Sequence, residues 1–390
     1  MAEAYIVAAA RTPGGRRKGQ LAGWHPADLG AEALNAVVDR SGIDPAVVDD
    51  VIVGCVTQGG EQTWAFGRNC VLASKLPESV PAVTIDRQCG SSQQAVQFAA
   101  QAVMSGTQDV VIAAGSESMT RVPLGTNYNL YTQAGIGEGA VSQRIKDKYG
   151  IEEFSQFVGA QMIADKYGFS REQLDAFSLE SHRRAAAATQ AGAFEAELIK
   201  LPIMTEDGPG TATRDEGIRY DASMEALAGL KTLSEGGVIT AGNASQICDG
   251  SAAVLVVSEQ ALKTHNLTPI ARVHQFAVTA GDPVIMLEEP TAATRRVLER
   301  AGMKMEDIDL FECNEAFASV VLAWLRNTGA DPEKVNVNGG GIALGHPLGA
   351  SGAKLTATLI HGLRARGKRF GLQTMCEGGG IANATILEAL

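Results

Sequence analysis

The chain has 390 residues, 45% hydrophobic and 20% charged, as in a globular protein of two or three domains or one large α/β unit. A formal net charge of −11 with no basic run argues against a nucleic-acid surface, so an anionic ligand needs a local basic patch. Six cysteines (Cys55, Cys70, Cys89, Cys248, Cys313, Cys376) form no C-x-x-C pair, which argues against a zinc site, a redox motif or a disulfide framework and fits a reducing compartment. Met1 to Tyr5 carries Glu3 and runs straight into a strand, unlike a signal or transit peptide, and no run approaches the length of a membrane span. A cytoplasmic protein is expected.

Tyr5 to Ala9 reads as a strand, followed by a loop that carries Arg11, Arg16, Arg17 and Lys18. Pro26 to Ser41 reads as a helix closed by Gly42. Val51 to Gly54 is a strand, Ala65 to Ala73 a helix, Ala82 to Ile85 a strand and Asp109 to Gly115 another. Alternation of this kind predicts a mostly parallel sheet covered on both faces. After Met119 the texture becomes polar and Gly-rich. Helices are expected near Gln156 to Tyr167 and Arg171 to Ala191, and Asp207-Gly208-Pro209-Gly210 reads as a turn. Residues 120–244 are therefore read as a long excursion from the sheet, and long loops usually carry function. The core pattern resumes at Ser251 to Ser258.

A second half then repeats the first. Ser41-Gly42-Ile43 and Val48 to Val53 match Ala301-Gly302-Met303 and Ile308 to Cys313. Helix, Gly106 and strand later match helix, Gly367 and strand. The repeat brings the turn at Cys89 and the turn at Gly345-His346-Pro347-Leu348-Gly349-Ala350-Ser351-Gly352 into corresponding positions. Cys89, His346 and Cys376 all fall at carboxyl ends of strands, where α/β sheets place their sites.

Cys89 enters a helix in which Ala95, Val96, Ala99, Ala102 and Val103 recur at helical spacing. Free N–H groups and the positive end of the helix dipole there favour the thiolate, the nucleophilic form. The alternative is a buried apolar cysteine. His346, framed by Gly345 and Pro347, suits a base or a hydrogen-bond donor to an oxyanion; a structural histidine is the bland alternative. Gly378, Gly379 and Gly380 follow Cys376 and offer backbone N–H groups to a substrate oxygen; taken alone, Cys376 is better read as a buried strand-end thiol than as an acid/base. Asn314 or Glu315 could start the helix that follows, or hold a water beside His346. No Walker loop and no G-x-G-x-x-G after the first strand is present, which weighs against nucleotide hydrolysis and NAD chemistry.

Asp86-Arg87-Gln88-Cys89-Gly90-Ser91-Ser92, Asn314-Glu315-Ala316-Phe317, Gly345-His346-Pro347-Leu348-Gly349-Ala350-Ser351-Gly352 and Cys376-Glu377-Gly378-Gly379-Gly380 together resemble the thiolases. Arg11-Thr12-Pro13 and Thr240-Ala241-Gly242-Asn243-Ala244-Ser245 agree, and the likeness covers the whole chain. It implies a duplicated five-layer α-β-α-β-α fold with an inserted loop domain. The expected division is 1–119 with 245–270 as the half bearing the nucleophile, 120–244 as the loop domain, and 271–390 as the second half. It implies acyl-CoA and coenzyme A as substrates, no permanently bound cofactor, no metal and a homodimer or homotetramer. Cys89 would be acylated, His346 would activate it, and Asn314 would hold a water in one oxyanion hole. Cys376 would exchange protons with the substrate carbon or the coenzyme A thiol. The N–H groups of Cys89 and Gly378 would form a second oxyanion hole, and Arg219 and Ser245 would hold coenzyme A.

The reaction implied is cleavage of 3-ketoacyl-CoA by a ping-pong acyl transfer, as in fatty-acid or steroid breakdown. Glu377 stands where many members have an aliphatic residue. The stretch Phe154-Ser155-Gln156-Phe157-Val158-Gly159 lacks the His-Met pair of acetoacetyl-specific members, so substrates longer than four carbons are expected. Gly349-Ala350-Ser351-Gly352 is closer to biosynthetic members, which keeps acetoacetyl-CoA synthesis as an alternative reading. A non-catalytic coenzyme A-binding protein is the alternative of a different class.

Overall fold

The computed structural model describes residues 2–390. In chain order it opens with β1 (Ala4–Arg11), β2 (Gly15–Arg16), α1 (Pro26–Ser41), β3 (Asp50–Gly54), α2 (Phe66–Ala73), β4 (Ala82–Ile85), α3 (Ser91–Ser105) and β5 (Val110–Ser118). An excursion follows, with α4 (Thr126–Gln133), α5 (Gln143–Tyr149), α6 (Gln156–Tyr167), α7 (Arg171–Gln190), β6 (Leu201–Thr205), β7 (Gly208–Ala212) and α8 (Met224–Ala228). The chain then returns through β8 (Cys248–Ser258), α9 (Glu259–Thr264), β9 (Ala271–Ala280), α10 (Pro290–Ala301), β10 (Leu310–Cys313) and α11 (Ala318–Thr328). It ends with α12 (Gly341–Leu344), α13 (Ser351–Ala365), β11 (Phe370–Glu377) and β12 (Ile381–Ala389).

The repeat read from the sequence is a repeat of structure. α1 ends on Gly42 at φ 68° and a 3-10 turn leads to β3; α10 ends on Gly302 at φ 65° and a 3-10 turn leads to β10. Left-handed backbone at such ends favours glycine. β3 pairs in parallel with β5 as β10 does with β11, and the strands beyond them, β8 and β1, or β12 and β9, are antiparallel. The two halves meet where β1 pairs with β9 through Tyr5–Arg272 and Ile6–Ala271. Hydrogen bonding thus runs along β10-β11-β12-β9-β1-β8-β5-β3-β4. The expected mostly parallel sheet is corrected to a mixed one. Parallel pairs occupy its two ends, and the centre is antiparallel because β8 and β12 return beside their neighbours.

Helices α1 and α2 cover one face of the first half. α3 and α13 share one apolar cluster with both halves and form the central helix layer. α10 and α11 cover the outer face of the second half. These are five layers, α-β-α-β-α. The central layer is tight: a Cβ on Gly115 would stand 2.2 Å from the Gly349 carbonyl oxygen, so the turn leading into α13 sits directly on β5.

Three local expectations are corrected. Residues 121–150 contain α4 and α5 rather than only loop. Gly208-Pro209-Gly210 lies in β7 of a two-stranded ribbon, where an edge tolerates proline. Neither Asn314 nor Glu315 starts a helix; α11 begins at Ala318, because Phe317 is held in a bridge to Ala244.

Candidate active site

Cys89 lies in the turn from β4 into α3, next to Gly90 at the helix start. Gln88 before it stands at φ 47°, a left-handed conformation uncommon for a side chain larger than glycine. The turn is pinned from both sides. The Gln88 N–H donates to Asp86 Oδ1 at 2.7 Å, Ser91 Oγ donates to the Gln88 carbonyl at 2.6 Å, and the Arg87 N–H donates to Ser91 Oγ at 2.9 Å. Cys89 itself is 9% exposed and packs among Val56, Met119, Leu348, Leu355 and Met375.

The expected lowering of its pKa does not occur. Burial pushes the Cys89 thiol up to about 12, and the nearby Glu377 carboxyl adds to the rise. The desolvation cost of a buried thiolate exceeds what the α3 N-terminus returns. Cys89 is therefore a thiol at rest and needs a base at the moment of reaction.

His346 follows α12 and is 3% exposed. Its Nδ1 is 2.5 Å from Ser351 Oγ, and its Nε2 is 3.3 Å from Asn314 Nδ2. Ser351 Oγ also donates to the Pro347 carbonyl at 2.9 Å. One assignment satisfies all three contacts: Nδ1–H donates to Ser351, and Nε2 accepts from Asn314. Burial, with Lys354 nearby, lowers the imidazole to about 3, so it is neutral with its lone pair at Nε2. Lys354 does not touch the ring; it donates to the carbonyls of Leu344 at 2.6 Å and Gly345 at 2.9 Å, fixing the turn before His346.

Asn314 stands just beyond β10, its N–H donating to the Thr374 carbonyl at 3.0 Å. Cys376 is the penultimate residue of β11 and is fully buried beside Phe317, Met286 and Ile342. Burial raises its pKa well above the ordinary thiol value, and the neighbouring Cys89 adds to the rise. Gly378 follows β11, and a Cβ on it would stand 2.8 Å from Gln88 Oε1, so its backbone adjoins the Cys89 turn. Cys89, His346, Asn314, Cys376 and Gly378 thus converge from both halves. Arg219 and Ser245 make no hydrogen bond to that group. Arg219 is exposed, with its N–H on His182 Nδ1 at 3.1 Å, and Ser245 is half-buried with its N–H on the Ala316 carbonyl at 2.8 Å.

Two partners escaped sequence reasoning, and a third, Glu377, was noticed there as a departure from the family. Ser351 orients His346, and its signal was its place in the His346 turn. Glu117, at the end of β5, accepts N–H groups of Val56, Thr57 and Gly349 at 2.8–2.9 Å and Gln62 Nε2 at 3.0 Å. A lone acid ending a buried strand was its signal. Glu377 is 0% exposed, neither oxygen has a hydrogen-bond partner, and burial lifts its pKa to about 8. It faces the α3 start so closely that a Cβ on Gly90 would stand 1.8 Å from its Oε1. Among the described residues no group of three or more His, Cys, Asp or Glu side chains is arranged to hold a metal ion, and no helix is long and apolar enough to cross a membrane.

Residues 4–260 match the family model described as thiolase, N-terminal domain, and residues 267–389 match thiolase, C-terminal domain. The chain is 52% identical over 391 residues to the protein of Mycobacterium tuberculosis named steroid 3-ketoacyl-CoA thiolase FadA6, covering 100% of this chain and 95% of that one. It is 40% identical over 399 residues to the 3-ketoacyl-CoA thiolase of Bacillus subtilis, covering 100% of each. The crystal structure of the Bacillus anthracis acetyl-CoA acetyltransferase superposes with a TM-score of 0.91 at 37% identity, covering 100% of this chain and 99% of that one.

Proposed function

This chain belongs to the thiolase family of acyltransferases, and on that premise we propose that it cleaves 3-ketoacyl-CoA degradatively through an acyl-Cys89 intermediate. The observation that carries the reading is the meeting of Cys89, neutral His346 and Cys376 beside the Gly378 N–H. His346 Nε2 takes the Cys89 proton as sulfur attacks the ketone at C3. Thiol and imidazole are pushed apart in pKa by burial, so proton transfer and carbon–sulfur bond formation proceed together rather than through a standing thiolate. The new Nε2–H then donates to the thioester oxygen, where Asn314 supports it. The N–H groups of Cys89 and Gly378 face the C3 oxyanion. Cleavage of the C2–C3 bond expels an enolate, and Cys376 protonates its carbon. Coenzyme A then gives its thiol proton to Cys376 and takes the acyl group from Cys89, whose sulfur recovers its proton from His346.

The remaining assignments belong to the same proposal. Residues 1–119 with 245–270 form the half bearing the nucleophile, 120–244 the loop domain and 271–390 the other half. Arg219 and Ser245 hold coenzyme A, a co-substrate, and no permanently bound cofactor is needed. The protein is cytoplasmic and a homodimer or homotetramer. Its physiological direction is breakdown, and its substrates exceed four carbons: the stretch Phe154 to Gly159 lacks the His-Met pair of acetoacetyl-specific members, Phe157 and Val158 within it are 46% and 55% exposed, and Phe157 packs edge-on against Phe317 at 5.7 Å.

Intact mass spectrometry after incubation with acetyl-CoA tests the core of this reading. An acetyl adduct is expected on Cys89 in wild type and equally in Cys376→Ser, while the variant loses carbon–carbon cleavage. An adduct on another residue, or near-normal thiolysis by Cys376→Ser, would refute it.

A further inference from the structure

A cavity of about 550 Å³ opens beside the glycine run that follows Cys376. Phe154, Tyr149, Pro283 and Gly379 wall it, and Arg144 and Lys148 stand at its edge. Phe154 also packs against the apolar cluster that contains Cys376, Phe317 and Met286. Gly379 is three residues from Cys376, at most roughly 11 Å along an extended backbone.

Arg144 and Lys148 are four residues apart on α5 and so occupy one face of it. Like charges at that spacing repel. Lys146, between them, is paired with Glu152 at 2.9 Å, whereas Arg144 and Lys148 form no ion pair among the described residues. Lys148 lies 5.0 Å over the ring of Tyr149. Asp147, on the same helix, accepts from Gln143 at 2.8 Å, and Asp282 accepts the Val284 N–H at 2.8 Å; neither is paired with Arg144 or Lys148. In a chain of net charge −11, two unpaired cations at the edge of a largely apolar cavity form a local site for an anion. An apolar wall with a cationic end fits an apolar chain with an anionic tip.

We propose that this cavity takes the acyl end of the 3-ketoacyl-CoA substrate, and that Arg144 and Lys148 bind a carboxylate at the far end of that acyl chain. The proposal rests on the thiolase reading above and makes the preferred substrate a 3-ketoacyl-CoA with a terminal carboxylate. The phosphates of coenzyme A offer the same charge from another source, and the test separates the two.

Thiolysis is measured for two 3-ketoacyl-CoA substrates of about eight carbons, one ending in carboxylate and one in methyl. Wild type is expected to favour the carboxylate in kcat/KM by on the order of tenfold, as charge-assisted hydrogen bonds allow. The double variant Arg144→Gln/Lys148→Gln should erase that preference through a raised KM for the carboxylate. Turnover of the methyl-ended substrate and the KM for coenzyme A should stay unchanged, which also shows that the variant folds. No preference in wild type, or equal loss on both substrates, overturns the proposal. So does a raised KM for coenzyme A, which would assign the cations to its phosphates. Turnover of neither substrate by wild type would instead sink the thiolase reading, and this proposal with it.

Discussion

Glu377 sets the electrostatics at the scale of single residues. An unpartnered buried carboxyl is stable only when neutral, and burial holds its pKa near 8. The native state therefore keeps a proton that the unfolded chain gives up near pH 4, so the contribution of Glu377 to stability is full below about pH 4 and falls as pH rises toward 8. Ionised Glu377 also disfavours the Cys89 thiolate. Glu377→Gln should flatten the loss of urea stability between about pH 5 and 8.5 and speed alkylation of Cys89 at the upper end. Identical pH slopes in variant and wild type would count against a neutral Glu377. The position of Glu377 was legible in the sequence as a departure from its family. Its neutrality was not, and neither was the raised pKa of Cys89: both follow from burial across layers that no local pattern encodes.

At the scale of elements, Glu117 ties the end of β5 to the loop after β3 and to the turn before α13. Removing it leaves three backbone donors and Gln62 without their acceptor, each at a cost of about 1–3 kcal/mol before relaxation. Glu117→Ala should lower the Tm by several degrees or prevent folding, and Glu117→Gln, which keeps an acceptor, should do less. Equal Tm values in both variants would mean the carboxylate links nothing. Elements with clean periodicity and a glycine stop, such as α1 with Gly42, were readable to the residue. The ribbon β6–β7 was hidden because Gly208-Pro209-Gly210 carries turn chemistry, and only its edge position lets it extend. The antiparallel centre was hidden too, since strand direction depends on which neighbour β8 and β12 find.

At the scale of the whole molecule, the excursion is anchored by one buried cation. Arg11 of β1 pairs with Asp215 at 2.7 Å and Glu197 at 2.6 Å, all about 1% exposed or less, while the Phe194 ring lies 5.0 Å from its guanidinium. Asp215→Ala leaves Glu197 as the remaining counter-charge on Arg11 and the Gly14 N–H without its acceptor, and should cost about 3–5 kcal/mol in chemical denaturation. A loss well under 1 kcal/mol would show that the anchor is dispensable. β4 ends the sheet with Val83 45% exposed, an open edge suited to a second copy. Light scattering should give two or four times the 40.7 kDa chain mass; a single chain mass would sink the oligomer proposal.

β1 also has a consequence for biosynthesis. Its sheet partners, β8 and β9, are encoded some 240 residues or more downstream. At ribosomal speeds of about 5–20 residues per second, the apolar strand Ala4–Arg11 emerges roughly 12–50 s before any partner exists. Until then it is an unpaired, aggregation-prone segment on a nascent chain, the kind of surface that chaperones shield. The half that carries Cys89 cannot complete its own sheet until residue 258 has left the tunnel, and Cys89 meets Cys376 only after β11 has been made.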